Sequence, residues 1–378
     1  MSAVQLHRTI PESSSTDYRP FQTVDFLIDA RGRKLLKNSI RIEGDITALD
    51  AIGGNPITFE SNVKLDNSIG AHTFFDSYSV ETEMKGVLEN LQNAPRYAAM
   101  VSRATLASDD LLSSQFVAEA RGPVESNGNY VLQQVSDNAY VAGQNEIVAN
   151  RTQPSFSIIP SICFNRQGGD DYSFNKNGWI RVSCILSPAN QALFGGADQA
   201  KDYTLQNLAL RFQTREDDGS QGPMLMKSYV NVVSSVQSTS TTVSARVPSS
   251  SVNGVALSFI KQSNVNDFQE NTHALESLPQ WSTIEYLFNN SLQQYLTYTL
   301  RDESDAIQRG LMALETAGHS QVSSKTLKAN KGQIMGLPFS EYVDLSNQKF
   351  TINFKVDSDS ITGSPMDVQM YFSTLLTM

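Results

Sequence analysis

Apolar side chains recur at every second position in short runs along most of this chain. That period-two rhythm is the mark of strands with one buried face. Ile40, Ile42, Gly44, Ile46 and Ala48 share one face of the first such run. Ile57, Phe59, Val63 and Leu65 follow the turn signal Gly53-Gly-Asn-Pro56, and Phe74, Tyr78 and Val80 form a third run. From about residue 105 short strands alternate with turns rich in Gly, Pro, Asn and Asp. They carry Phe156, Ile158, Ile162 and Phe164, then Ile180, Val182, Cys184 and Leu186, then Leu208, Leu210 and Phe212. Val243, Ala245 and Val247 alternate inside a Ser/Thr-rich stretch, 234–251, which reads as a β-ribbon with a wet outer face; Val255, Leu257 and Phe259 follow. Phe350, Ile352, Phe354 and Val356, then Met366, Val368, Met370, Phe372 and Leu376, close the chain. The last strand is expected to be tucked in beside strands from the start of the chain, with Gln369 and Ser373 facing outward.

Helical signals are few. Met84, Val87, Leu88 and Leu91 have the spacing of an apolar helical stripe, and Pro95 opens a second short helix carrying Tyr97, Met100 and Val101. A further helix is predicted over 302–317, capped by Asp302 or Ser304, lined by Ile307, Leu311 and Leu314, and ended by Gly318. Many short strands without a βαβ rhythm mean an all-β sandwich or barrel, best fitted by two facing four-stranded sheets of the jelly-roll type. No repeat period is visible, which argues against solenoids and propellers.

A length of 378 residues allows two compact domains or one domain with a large insertion. Charged residues are 18%, below the roughly 25% usual for soluble domains, as expected of a surface that faces protein neighbours. The net charge of −10 argues against sequence-specific nucleic-acid recognition. The basic cluster Arg31, Arg33, Lys34, Lys37 and Arg41 reads either as a solvated lead-in to a strand or as an arm reaching for an acidic partner. Residues 1–20 show no apolar period and read as a mobile arm. No basic and apolar leader opens the sequence and no stretch is long enough to span a membrane, so the protein is expected in a reducing cytoplasm. The sequons at Asn150 and Asn289 read as chance.

Chemistry-bearing motifs are absent. His7, His72, His273 and His319 lack partners at helical metal-ligand spacing, and Cys163 and Cys184 form no CxxC pair. The stretch Asp171 to Gly178 is loosely similar to a calcium loop, but Lys176 stands where glycine is needed and Val182 where the final Glu belongs. It reads as a polar hairpin turn. Both cysteines lie in apolar alternation, as small core residues do, and there is no nucleophile elbow, Walker loop or dinucleotide fingerprint. Tyr286, Phe288, Tyr295 and Tyr298 cluster near Trp281, which suits core packing and an interface anchor equally. Catalytic, cofactor and metal residues are therefore expected to be none.

Residues 60–82, from Glu60-Ser-Asn-Val to Phe74-Phe-Asp-Ser-Tyr78-Ser-Val-Glu-Thr82, run a polar strand through Gly70-Ala-His72 into an aromatic strand. Residues 338–354, Pro-Phe-Ser-Glu-Tyr-Val-Asp-Leu-Ser-Asn-Gln-Lys-Phe-Thr-Ile-Asn-Phe, form a second marked segment. Both resemble segments of capsid proteins of virophages and polinton-like double-stranded DNA viruses, most closely the penton, or vertex, proteins of Sputnik-type virophages. The resemblance implies a structural, non-enzymatic virion protein made in the host cytoplasm. It implies a single jelly roll with a large inserted β-domain and a few short helices, forming homopentamers at icosahedral vertices. Residues 1–36 would be an arm, on the inner side of the shell, 37–104 with 270–378 the base, and 105–269 the insertion. Neighbouring major capsid protein and a fibre, spike or receptor would be its partners. A compact, trimeric double jelly-roll major capsid protein, a receptor- or glycan-binding sandwich and a sandwich hydrolase are the competing classes.

Overall fold

The computed structural model describes residues 3–13, 15–49, 51–55, 63–66, 68–105, 119, 130–131, 138–140, 147–149, 155–195, 202–278, 281–288, 291–292, 303–319, 334–356 and 360–378. The alternating runs become strands of two successive sandwiches. The first is built from β1 (Gln5–Thr9), β2 (Asp17–Tyr18), β3 (Thr23–Ile28), β4 (Arg33–Leu35), β5 (Arg41–Leu49), β6 (Phe75–Thr82), β7 (Gly86–Leu91), β8 (Ser155–Ile158), β9 (Ile180–Leu186) and β10 (Asp202–Glu216). In sheet I, β10 lies between β5 and the pair β1 and β2, with β8 beyond β5; β4 extends the β5 side. Sheet II runs β3-β9-β6-β7. Helix α1 (Ala94–Thr105) follows β7.

The second sandwich uses β11 (Met224–Val236), β12 (Ser240–Arg246), β13 (Val252–Lys261), β14 (Trp281–Phe288), β15 (Ser291–Leu292), β16 (Met335–Val343), β17 (Lys349–Val356) and β18 (Met366–Thr377), with α2 (Glu303–Thr316) between β15 and β16. Sheet III runs β11-β18-β13-β16, with Gln167–Gly169 of the first half paired on the free edge of β11, and sheet IV runs β12-β17-β14-β15. Count the strands of each sandwich in chain order, with β1 and β2 as the two pieces of strand one, and leave out β4 and the short strands Lys64–Leu65, Tyr130–Val131, Asn138–Tyr140, Ile147–Ala149, Gln167–Gly169 and Tyr172–Ser173. Both sandwiches then have the strand orders 1-8-3-6 and 2-7-4-5. Each also places its helix between strands five and six. One wiring is used twice.

Apolar alternation explains the inner faces. Ile42, Ile46, Phe26, Val182 and Leu210 fill the first core; Val243, Leu257, Ile284, Phe350, Phe354 and Phe372 fill the second. Gly44 has a specific reason to lack a side chain. A bulge in β10, with Asn207 at φ +53°, drops Leu208 onto it, and a Cβ there would lie 2.7 Å from the Leu208 side chain and 3.0 Å from the Gln206 carbonyl.

Several expectations are corrected. Residues 5–9 and 17–18 pair with β10, and 23–28 and 33–35 are also strands, so 1–36 is no detached arm. Backbone hydrogen bonds to a partner strand, which need no apolar period, hold β1. The stripe from Met84 to Leu91 forms no helix: a turn at 83–85, with Gly86 at φ +68°, folds β7 back on β6 and leaves Met84 and Val87 exposed. The predicted helices at 95 and 302–317 do form, as α1 and α2. Ile162 and Phe164 enter a 3-10 turn rather than a strand. Asp171 to Gly178 holds a one-turn helix, Phe174–Asn177, with Ser173 Oγ capping Lys176 N, and it links the two sheets rather than turning a hairpin. Ile57, Phe59, Tyr295 and Tyr298 lie outside the described residues.

Strand pairing also departs from the expected insertion. Residues 155–158 and 172–216 pair with 5–91, and 224–261 pair chiefly with residues beyond 281; among the described residues only the short strand Gln167–Gly169 crosses over, to β11, so the division falls at the polar turn 217–223. The final strand β18 pairs with β11 and β13, not with the start of the chain. Gln369 and Ser373 are buried, not outward-facing, because sheet III is covered on both faces.

Candidate functional site: the seam and the exposed edges

What covers sheet III is the first sandwich. Tyr229 and Tyr371, on the outer face of β11 and β18, join the apolar cluster of the first half, as do Ile307, Leu311 and Leu314 of α2. Polar groups stitch this seam. Glu89 of β7 is buried and ion-paired with Arg166; its carboxylate also accepts from the amides of Cys163 (2.6 Å) and Tyr229 (3.3 Å). Burial pushes the Glu89 carboxyl up, against the pull of Arg166. Arg166 donates to the Lys227 carbonyl at 3.0 Å and lies 4.4 Å over the Tyr229 ring. Asn93 donates to Asn231, Asn231 to Gln369, and Tyr371 Oη to the Asn93 carbonyl at 2.9 Å. Arg96 of α1 donates to the carbonyls of Phe259, Thr272 and Ala274, so one side chain of the first half is held by three carbonyls of the second.

Two members of the basic cluster, Arg31 and Lys34, are ion-paired within the chain. Lys34 is buried, 2.7 Å from Asp218 and 3.7 Å from Asp170. Arg31 pairs with Asp29 and Glu83, Arg33 donates to the Thr214 hydroxyl, and Lys37 to the Gly169 carbonyl. For Arg31 and Lys34 the acidic partner is the protein itself.

The remaining candidates are structural. Cys163 and Cys184 are buried, and burial pushes both thiols up, opposite to an activated nucleophile. His7 stacks on Phe212 and meets Thr214 Oγ1 at 2.7 Å. His72 faces Glu119 at 3.8 Å. Among the described residues no group of three acidic, His or Cys side chains is placed to hold a metal ion, and no helix is long and apolar enough to cross a membrane. Tyr286 is buried in the second core, with Trp281 and Phe288 half-buried against it, so these three serve packing.

What the surface offers is edges. Leu6 on β1 is 63% exposed, with Val4 and Ile10 beside it, at the margin of sheet I. Phe21 is 72% exposed and held at φ +67°, an unfavourable backbone for an aromatic residue. Sequence reasoning missed the seam entirely, since its charged members read as surface; it also read 1–20 as loose chain.

No protein-family model and no curated protein matches the sequence. Solved structures do match by fold. The chain is similar to the Faustovirus major capsid protein, with TM-score 0.60 and 11% identity over 100% of this chain and 91% of that one. It is similar to a chain in the cryo-EM structure of the Sputnik virophage, with TM-score 0.61 and 10% identity over 99% and 85%. Mavirus major capsid protein follows, with TM-score 0.53 and 9% identity over 98% and 88%. Over its whole length, this chain has the fold of viral capsid proteins.

Proposed function

We propose that the chain is a structural subunit of an icosahedral viral capsid, built as two jelly rolls side by side and assembling as a trimer of the major-capsid type. The repetition of one strand order in both halves carries this reading. Three copies with two like sandwiches each set six similar blocks around a threefold axis, an outline that tiles a closed shell. Exposed apolar residues on the β1 margin and a low charged share support burial against neighbours. The protein would act in the virion, without catalysis, nucleotide-sequence recognition or cofactor.

The resemblance of residues 60–82 and 338–354 to vertex proteins favours a second reading, a pentamer at the fivefold positions contacting major capsid protein and a fibre or receptor. Native mass measurement with negative-stain imaging of the purified protein separates the two. Trimers support the first reading and pentamers the second. A protein that stays monomeric at high concentration and never enters particles would defeat both.

A further inference from the structure

Two of the four histidines lie in the seam, both contributed by the second half and both bonded to the first. His273, in the segment after β13, directs Nε2 at the Gln191 carbonyl at 2.8 Å, so Nε2 carries the proton. Its Nδ1 is buried and has no hydrogen-bond partner among the described residues. It lines a polar cavity of about 50 Å³, together with Asp76, Arg96, Gln191 and Asp367. That is room for one or two waters. His319, just past α2, places Nε2 against the hydroxyls of Tyr97 and Tyr229, the latter at 3.2 Å. Tyr229 gives its proton to the Ala317 carbonyl at 2.9 Å, and the Tyr97 hydroxyl and Nε2 share a hydrogen bond whose direction follows the tautomer of the ring.

We propose that the seam is an acid-sensitive joint, in which protonation of His273 and His319 loosens one sandwich from the other while each keeps its own core.

A proton on His319 makes both ring nitrogens donors, so Nε2 can no longer accept from either tyrosine, and adds a positive charge near Arg166 and Lys227. Glu89 is the nearby anion, and Arg166 and two backbone amides already occupy it. A proton on His273 sets a cation beside Arg96 and Arg103. The carboxylates facing that site are Asp66, held by Arg103, Ser68 and Asn271; Asp367, held by Gln262; and Asp76 across the cavity. Burial first, and then these cations, push both histidines down to about 4 from an ordinary 6.5. Between those values the separated state takes up protons that the joined state refuses. Falling pH therefore favours opening, by up to about tenfold per pH unit for each histidine. Glu89 and Asp76, pushed up by burial, gain protons in the joined state and damp the effect.

The chain provides its own reporters, because one tryptophan, Trp179, belongs to the first half and the other, Trp281, to the second. Trp179→Phe and Trp281→Phe each leave a single fluorophore. Urea unfolding of the two variants should give coincident midpoints at pH 7.5 and separated midpoints at pH 5.0. Adding His273→Gln and His319→Gln should bring the pH 5.0 midpoints back together. Coincidence at both pH values, equal separation at both, or separation unchanged by the glutamines would overturn the proposal. Should the glutamine variant fail to fold, histidine NMR of the wild type decides alone. Two of the four imidazoles must titrate below pH 5, and titration of all four near 6.5 would overturn the proposal.

Discussion

The two sandwiches share their strand order, and aromatic pairs fill both, as Phe74–Tyr203 and Phe75–Phe156 do in the first; they differ in how they are tied. The first is laced with charge: Arg103–Asp66, Arg166–Glu89, Lys34–Asp218, Arg211–Glu43 and Arg215–Asp171 all bind its strands and loops. In the second the rings gather on one residue. Phe350 meets Phe372 at 5.4 Å, Phe288 at 5.3 Å and Phe339 at 6.1 Å, beneath an outer face of Thr242, Asn353 and Glu285 joined by hydrogen bonds. Wiring of this kind is therefore indifferent to side-chain identity, provided that alternation keeps one face apolar and the connections keep their order. Identity matters at the seam, where each sandwich must recognise the other.

The largest effects should come from strand eight of either half. Phe372→Ala in β18 should cost about 3–5 kcal/mol and Leu210→Ala in β10 about 2–5 kcal/mol, read by denaturant unfolding. A cost below about 1 kcal/mol at either would mean that the two strands are not equivalent. Next comes the seam charge. Arg166→Met strands a buried Glu89 and should cost about 3 kcal/mol, and adding Glu89→Gln should recover most of it. If the double variant is as unstable as the single, Arg166 acts through packing on Tyr229 instead.

Asp66 supplies a smaller, pH-dependent effect. Burial alone would raise its carboxyl, but Arg103 and hydrogen bonds from Ser68 and Asn271 hold it well below the usual carboxylate range. A depressed carboxyl stabilises the fold above its unfolded value near 4 and loses that contribution as pH falls further. Asp66→Asn should cost about 2 kcal/mol at pH 7 and flatten the melting curve below pH 4. An unchanged acid limb would assign that limb to other carboxylates. The smallest contrast tests which face is covered. Gln369→Ala, under the seam, should cost about 1 kcal/mol, and Thr242→Ala, on the solvated face of β12, close to nothing. Equal tolerance would mean that the seam face of β18 is wet.

Much of this was legible. The runs at Ile40–Ala48, Ile180–Leu186, Phe350–Val356 and Met366–Leu376 are strands with the expected inner faces, because burial on one side imposes period two directly on the residues. β1 was not legible, since Leu6 points to solvent and the residues that turn inward are polar, His7 stacked on Phe212 and Thr9. The hairpin at 82–86 was hidden by an accidental helical spacing, although Gly86 was the available clue. The duplication was invisible because it resides in which distant strands pair, and no local period records that. Lys34 reads as part of a solvated basic cluster, and nothing in the sequence marks Glu89 or Arg96, for a charge announces burial only once its partner is known.

The equal wiring has a consequence for how the chain is made. In each half, strand eight seals the sheet by pairing with strands one and three, so neither half is complete until its last strand arrives. The first half has every strand once residue 216 has left the ribosome, and the second begins only at residue 224. Domains fold as units during synthesis, N-terminal first, and such long-range pairings are slow to form. The first sandwich thus emerges as a finished block with α1 and Glu89 uncovered, and it serves as the surface on which sheet III is laid down.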